Sequence, residues 1–295
     1  MKLTSYSFVY CIIRKGFLRR FCKVICSTFS CINNDIIYHI LFLFQLIFKA
    51  LAGCTNEKGQ NKEQNEKQST KGDKQELQVS AAASLTEVSK ALGNEFKKDH
   101  PNVEIKFNYG GSGALRQQIE AGAPSDVMMS ANTKDIDLLK KKNKAHDTYN
   151  YAKNQLVLIG DKNKSYTSVK DLNQNDKLAL GQIKTVPAGK YAKQYLDDQH
   201  LYGDVKDKII FAKDVKQVLN YVEKGNAQEG FVYKTDLYQQ KKKANKVKVI
   251  EEIKLSKPIT YKAGATSDKK LAKEWINFLK SNKAKQILKE YQFSV

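Results

Sequence analysis

The sequence predicts an α/β protein of two lobes with a ligand cleft between them. Three observations predict it. From about residue 76 onward, short apolar runs alternate with segments of helical period, roughly eight of each. Five strand-to-helix turns, at Ser84, Ser112, Ala131, Ala188 and Val215, are short and rich in small residues. No repeat with a period of about 20–50 residues is present, which excludes a solenoid.

The elements follow in order. Leu77-Gln78-Val79-Ser80 reads as a strand and Ala81-Ala82-Ala83-Ser84 as a turn. Leu85, Val88, Leu92 and Phe96 then recur on one face of a helix. Ser84 and Glu87 have the spacing of a capping box, so Ser84 is expected to cap that helix. Val103–Phe107 is a second strand, Tyr109-Gly110-Gly111-Ser112-Gly113 a second turn, and Leu115–Ala121 a second helix. Asp126–Ser130 and the helix from about Thr133 to Lys142 make a third unit, the pattern of a parallel sheet.

Gln155–Gly160 and Lys177–Gly181 read as strands, and Thr185–Gly189 as a turn before a helix with Pro187 in its first turn. Ile209–Phe211 is a strand, and Asp214-Val215 opens a helix with Val215, Val218, Leu219 and Val222 on its core side. Gly230–Tyr233, Val247–Ile250 and Ile259–Ala263 are further strands, and two helices, 268–280 and 284–291, close the chain. In open α/β sheets, ligands bind beyond the C-terminal strand ends, where helix N-termini leave free N–H groups and partial positive charge.

Composition narrows the function. The formal net charge of +20 comes from Lys spread along the chain, with no arginine cluster interleaved with aromatics, so no nucleic acid is expected as a partner. All five cysteines, Cys11, Cys22, Cys26, Cys31 and Cys54, precede the globular part, which therefore has no disulfide and no thiol chemistry. The Gly-rich turn is not a P-loop, because no Gly-Lys-Ser/Thr follows Gly113. It misses the G-x-S-x-G nucleophile elbow by one residue, because Ala114 stands at the last glycine.

The front of the chain is different in kind. Ile36–Phe48 is a mostly apolar run behind Arg19, Arg20 and Lys23, as in a secretory signal, and too short for a membrane span of ~20 residues. It ends at Leu51-Ala52-Gly53-Cys54, which resembles the bacterial lipobox and marks Cys54 as the lipidated residue. Residues 1–54 are thus read as a leader, although the first 35 make it unusually long. Residues 55–75 hold no large apolar side chain, and are expected to form a disordered tether.

The turns also carry a resemblance. Ala82–Thr86, Gly111-Ser112-Gly113, the run Ile119–Asp126, Ser130-Ala131, Val186-Pro187-Ala188-Gly189-Lys190-Tyr191-Ala192, Glu229–Tyr233 and the terminal Tyr291-Gln292-Phe293 stand in the order found in one family. Over about residues 76–295 the chain resembles the substrate-binding proteins of bacterial molybdate ABC transporters. The resemblance implies a periplasmic-binding-protein-like fold of type II. Residues 76–156 and 257–295 would form lobe I and residues 157–256 lobe II, closing over one tetrahedral oxyanion. It implies contacts from the Ser84 and Ser112 hydroxyls and N–H groups, the N–H groups of Ala131, Ala188 and Val215, and the Tyr233 hydroxyl. Molybdenum would enter only as the oxyanion, with no protein ligand on the metal and no cofactor. The implied partners are a permease, its ATPase and, through the lipid, the extracytoplasmic face of a cell membrane; the implied state is a monomer.

The chemistry of the residues agrees with that list. Molybdate is a dianion with acceptor oxygens and no donor, so a site of N–H and O–H groups satisfies it, and a carboxylate would repel it. Tungstate has almost the same size and charge, and these residues do not separate the two; a receptor for another tetrahedral oxyanion is an alternative within the same class. A competing reading is a surface hydrolase with Ser112 as nucleophile. It lacks a credible base, since only His146 and His200 follow Ser112, in Lys- or Asp-rich surroundings.

Overall fold

A computed structural model describes residues 74–239, 242–243 and 246–295. The leader, Cys54 and nearly all of the tether lie outside the described residues. The described residues belong to one compact unit.

The first sheet has the order β2-β1-β3-β12-β4. β1 (Gln75–Ala82) lies between β2 (Val103–Gly110) and β3 (Val127–Ser130), parallel to both. β12 (Ile259–Ala265) runs antiparallel to β3 and to β4 (His146–Asn154). The sheet is therefore mixed, where the sequence pattern suggested a parallel one. β4 was not anticipated: its sequence, His-Asp-Thr-Tyr-Asn-Tyr-Ala-Lys-Asn, has few aliphatic residues, and pairing with β12 sets it.

Helices α1 (Thr86–Asp99), α2 (Ser112–Glu120) and α3 (Thr133–Lys141) follow β1, β2 and β3. α1 buries Val88, Leu92 and Phe96, the face its spacing marks out. Phe96 packs edge-on against Trp275 of the closing helix α6 (Lys270–Leu279), with centroids 5.1 Å apart. The last helix, α7 (Asn282–Glu290), is capped by Ser281, whose side chain accepts from Ala284 N–H.

The second sheet has the order β11-β5-β8-β6-β7. β6 (Leu178–Gly181) lies between β7 (Ile209–Ala212) and β8 (Glu229–Tyr233), parallel to both. β5 (Leu156–Asp161) and β11 (Val247–Glu252) complete the antiparallel side. α4 (Pro187–Asp198) follows β6 and α5 (Val215–Glu223) follows β7. Two further two-residue strands, β9 (Tyr238–Gln239) and β10 (Lys242–Lys243), pair with each other.

The chain crosses between lobes twice, from β4 to β5 at Asn154-Gln155 and back between β11 and β12. The Gln155 side-chain amide donates to the Ile253 carbonyl and ties the two crossings together. The C-terminal Phe293 is buried and packs edge-on against Tyr261, while Lys153 N–H donates to Ser294 O at 2.7 Å. The terminal Tyr-Gln-Phe run thus braces lobe I beside the crossing.

The capping role expected of Ser84 is corrected by the structure. Ala83–Leu85 forms a 3₁₀ turn, and Leu85 occupies the cap position of α1 without a side-chain bond. Ser84 Oγ instead lies 2.9 Å from Tyr261 OH. Thr86 Oγ1 donates back to Ala83 O at 2.7 Å and holds the tight turn. Losing the Ser84 hydroxyl therefore removes a tertiary bond rather than a helix cap.

Candidate functional site

The strand registers bring the turns together. In lobe I, Ala82 pairs with Gly110 and Ala81 with Met129, so β1, β2 and β3 end side by side. Their next residues include Ser84, Ser112 and Ala131. In lobe II, Gly181 pairs with Ala212, and β8 runs parallel on the other side of β6. The ends of these strands lead to Ala188, Val215 and Tyr233. One pocket is lined by Ser84, Ser112 and Ala131 from one lobe and by Ala188, Val215 and Tyr233 from the other. It encloses about 190 Å³ of space between atoms, its open mouth included.

Each donor has a local cause. Val215 is the first residue of α5, capped by Asp214, whose carboxylate accepts from Gln217 N–H at 2.9 Å. Ala188 follows Pro187, which opens α4 and has no N–H of its own. The first N–H groups of a helix have no partner within it, so both backbones present donors. Close packing sets the position of α4: a Cβ on Gly189 would stand 1.9 Å from Gly181 O. Only glycine there lets the helix start lie against the end of β6.

Ser112 is fully buried and is the first residue of α2, with Gly111 at the cap. Its Oγ accepts the Ala131 N–H at 3.0 Å. The Ala131 N–H, expected to face the anion, is therefore engaged with Ser112 in this structure. Because Ser112 Oγ already accepts there, its single proton is free for a further acceptor.

Tyr233 is 1% exposed, and its hydroxyl has no hydrogen-bond partner. Burial pushes that hydroxyl well above its ordinary pKa, so it remains a donor at any physiological pH. A buried polar group in a pocket without a partner is costly unless a ligand supplies one. Asp236, just behind, accepts Tyr233 N–H at 3.0 Å. Burial raises its pKa to about 7, despite that bond, which reduces the negative charge beside the pocket.

The lobes meet closely around the pocket. Gly113 N–H donates across the cleft to Thr185 O at 2.9 Å. A Cβ on Gly113 would stand 2.9 Å from Thr185 Cα, and one on Gly111 would stand 2.8 Å from Thr185 O. The two glycines flanking Ser112 thus allow the opposite backbone to approach. Lys216 of lobe II pairs with Glu87 of lobe I at 3.2 Å. The structure is a closed one.

Sequence reasoning did not single out Tyr261, Asn154, Thr185 or Thr235 for the site. None carries a local motif; Tyr261 is 177 residues from Ser84. The nucleophile reading of Ser112 gains no support from its partner, which is a backbone N–H. His146, one of its two candidate bases, faces Asp147 and Asp268 at distances of 3.1 and 3.4 Å.

Two lobes that close over a small pocket of converging donors define a solute receptor of the clamshell kind. The chain belongs to the bacterial extracellular solute-binding protein family, which it matches over residues 77–294. It is 37% identical over 271 residues to YvgL of Bacillus subtilis, a candidate ABC transporter substrate-binding lipoprotein; the match covers 87% of this chain and 98% of that one. It is 32% identical over 240 residues to the molybdate-binding protein ModA of Escherichia coli, covering 76% of this chain and 90% of ModA. The substrate-binding domain of a candidate molybdenum ABC transporter from Clostridium difficile superposes with a TM-score of 0.56 at 39% identity, covering 74% of this chain and 98% of that one. The periplasmic molybdate-binding protein of Azotobacter vinelandii shares the fold, with a TM-score of 0.65 at 22% identity and coverage of 74% and 99%. The chain is thus the substrate-binding protein of an ABC transporter, with the two-lobed periplasmic-binding-protein fold. Proteins of this class act outside the cytoplasm and bind cargo rather than transform it. Among the described residues, no helix is long and apolar enough to cross a membrane.

Proposed function

We propose that this protein captures molybdate, and tungstate with it, and delivers the ion to an ABC permease and its ATPase. The observation that carries the reading is the convergence of donors from both lobes on one small pocket, with the unpartnered Tyr233 hydroxyl among them. The direct donors are the Ser84, Ser112 and Tyr233 hydroxyls and the Ala188 and Val215 N–H groups, while Ala131 N–H holds Ser112 in place. The names of the ModA relatives support molybdate as cargo. Calorimetric titration with molybdate, tungstate, sulfate and phosphate tests the reading. Molybdate and tungstate should bind with similar affinity, one ion per protein, and phosphate should not compete. Binding of phosphate alone, or of none of the four, would contradict it.

The receptor acts as a monomer, held at the membrane by a lipid on Cys54. The lipobox and the lipoprotein name of YvgL support the anchor. Two acyl chains give stable anchoring where one is marginal. Cys54→Ser should remove the lipid mass and shift the protein from the detergent phase to the aqueous phase. Identical mass and partitioning in the two proteins would sink the anchor.

A further inference from the structure

The Ser84 hydroxyl ends a chain of hydrogen bonds that runs into the hinge. Ser84 Oγ lies 2.9 Å from Tyr261 OH, and Tyr261 is completely buried. Asn154 Nδ2 donates to Tyr261 OH at 3.1 Å and to Thr235 Oγ1 at 2.8 Å. Asn154 Oδ1 accepts the Gln155 N–H at 2.9 Å, which fixes the end of the amide that faces Tyr261. Asn154 stands at the first crossing between lobes, Tyr261 on a lobe I strand, and Thr235 just after β8 of lobe II.

Counting protons gives this chain a direction. The two bonds from Asn154 use both protons of its amide, so Tyr261 oxygen is an acceptor there. A phenol has one proton, and the hydroxyl partner left for it is Ser84 Oγ. Ser84 oxygen then accepts from Tyr261, which leaves its own proton for another acceptor, and Ser84 lines the pocket. Ser112 is arranged the same way by Ala131 N–H.

We propose that Asn154 and Tyr261 are positioning residues which hold Ser84 as a hydrogen-bond donor toward the pocket, and so make the site select fully deprotonated oxyanions over those that keep a proton. The proposal rests on the reading of the pocket as an oxyanion site. Molybdate has only acceptor oxygens, whereas hydrogen phosphate carries an O–H that needs an acceptor. With both serines turned to donate, that O–H meets a donor. Without the Tyr261 hydroxyl, Ser84 is free to present its oxygen instead.

The test is the ratio of phosphate to molybdate dissociation constants, measured by competition at mildly alkaline pH, where phosphate is the hydrogen-phosphate dianion. Tyr261→Phe keeps the ring, which packs against Tyr151, Tyr233 and Phe293. Asn154→Asp keeps the shape and removes both amide donors, giving a second route if Tyr261→Phe folds poorly. Melting without ligand identifies the folded variants. The ratio should fall about tenfold in each, with molybdate binding weakened and phosphate binding kept or improved. A folded variant in which both affinities fall by one factor, or neither changes, overturns the proposal while leaving the molybdate reading intact. A wild-type protein that binds no molybdate overturns that reading and this proposal together.

Discussion

Gly113→Ala is expected to weaken molybdate binding about 5- to 150-fold while leaving the ligand-free protein no less stable. The added methyl would stand 2.9 Å from Thr185 Cα and 3.1 Å from Thr185 O, across the cleft. Backbone cannot rotate aside as a side chain does, so the lobes must part and stretch the Gly113 N–H bond to Thr185. Overpacking of this kind costs about 1–3 kcal/mol, charged here to the closed state alone. In the open state the same change favours α2, since Ala exceeds Gly in helix propensity by ~1 kcal/mol. On the proposed function molybdate would contact both lobes and so stabilise closure by its differential affinity. Scattering should show the wild type contracting on saturation with molybdate, and the variant contracting less at equal occupancy. An affinity equal to wild type would rule out tight apposition at Gly113.

Tyr233→Phe and Ser112→Ala should each reduce molybdate affinity by roughly 10- to 150-fold, the ~1.5–3 kcal/mol of a hydrogen bond to a charged group. Their effects on the ligand-free protein should differ. Tyr233 hydroxyl has no partner to lose, so its removal should not lower the melting temperature. Ser112 Oγ accepts Ala131 N–H, and without it a buried donor is orphaned, so Ser112→Ala should melt earlier. Calorimetry beside thermal melting separates the two. Tight binding by Tyr233→Phe would remove that hydroxyl from the site.

Much of lobe I was legible because its signals are local. The apolar strand, small-residue turn and helical face recur within about 20 residues at β1–α1 and β2–α2, and the resulting ends meet by strand register. The cap assigned to Ser84 failed for a related reason. The local Ser-x-x-Glu pattern competes with a tertiary partner, Tyr261, that no window around Ser84 contains. β4 was missed because its partner strand is more than a hundred residues away and its own residues are polar and aromatic. The glycines around Ser112 read as turn-formers, yet their contacts are with Thr185 of the opposite lobe. Alternation and spacing report a residue's own element; they do not report what crosses a cleft.

On the proposed function, neutral donors at strand and helix ends, rather than the basic surface, hold the anion. Lys134, Lys184 and Lys190 line the cleft mouth, and Arg116 there is paired with Glu120 and Asp135. Fields from such exposed charges are screened over about 8 Å at physiological ionic strength, whereas a closed pocket is screened much less. The lysines should therefore speed capture more than they tighten it. The most direct measurement is the molybdate dissociation constant at low and at physiological salt, with the association rate followed in parallel. The rate should fall with salt while the equilibrium constant changes little. An affinity abolished by physiological salt would contradict it.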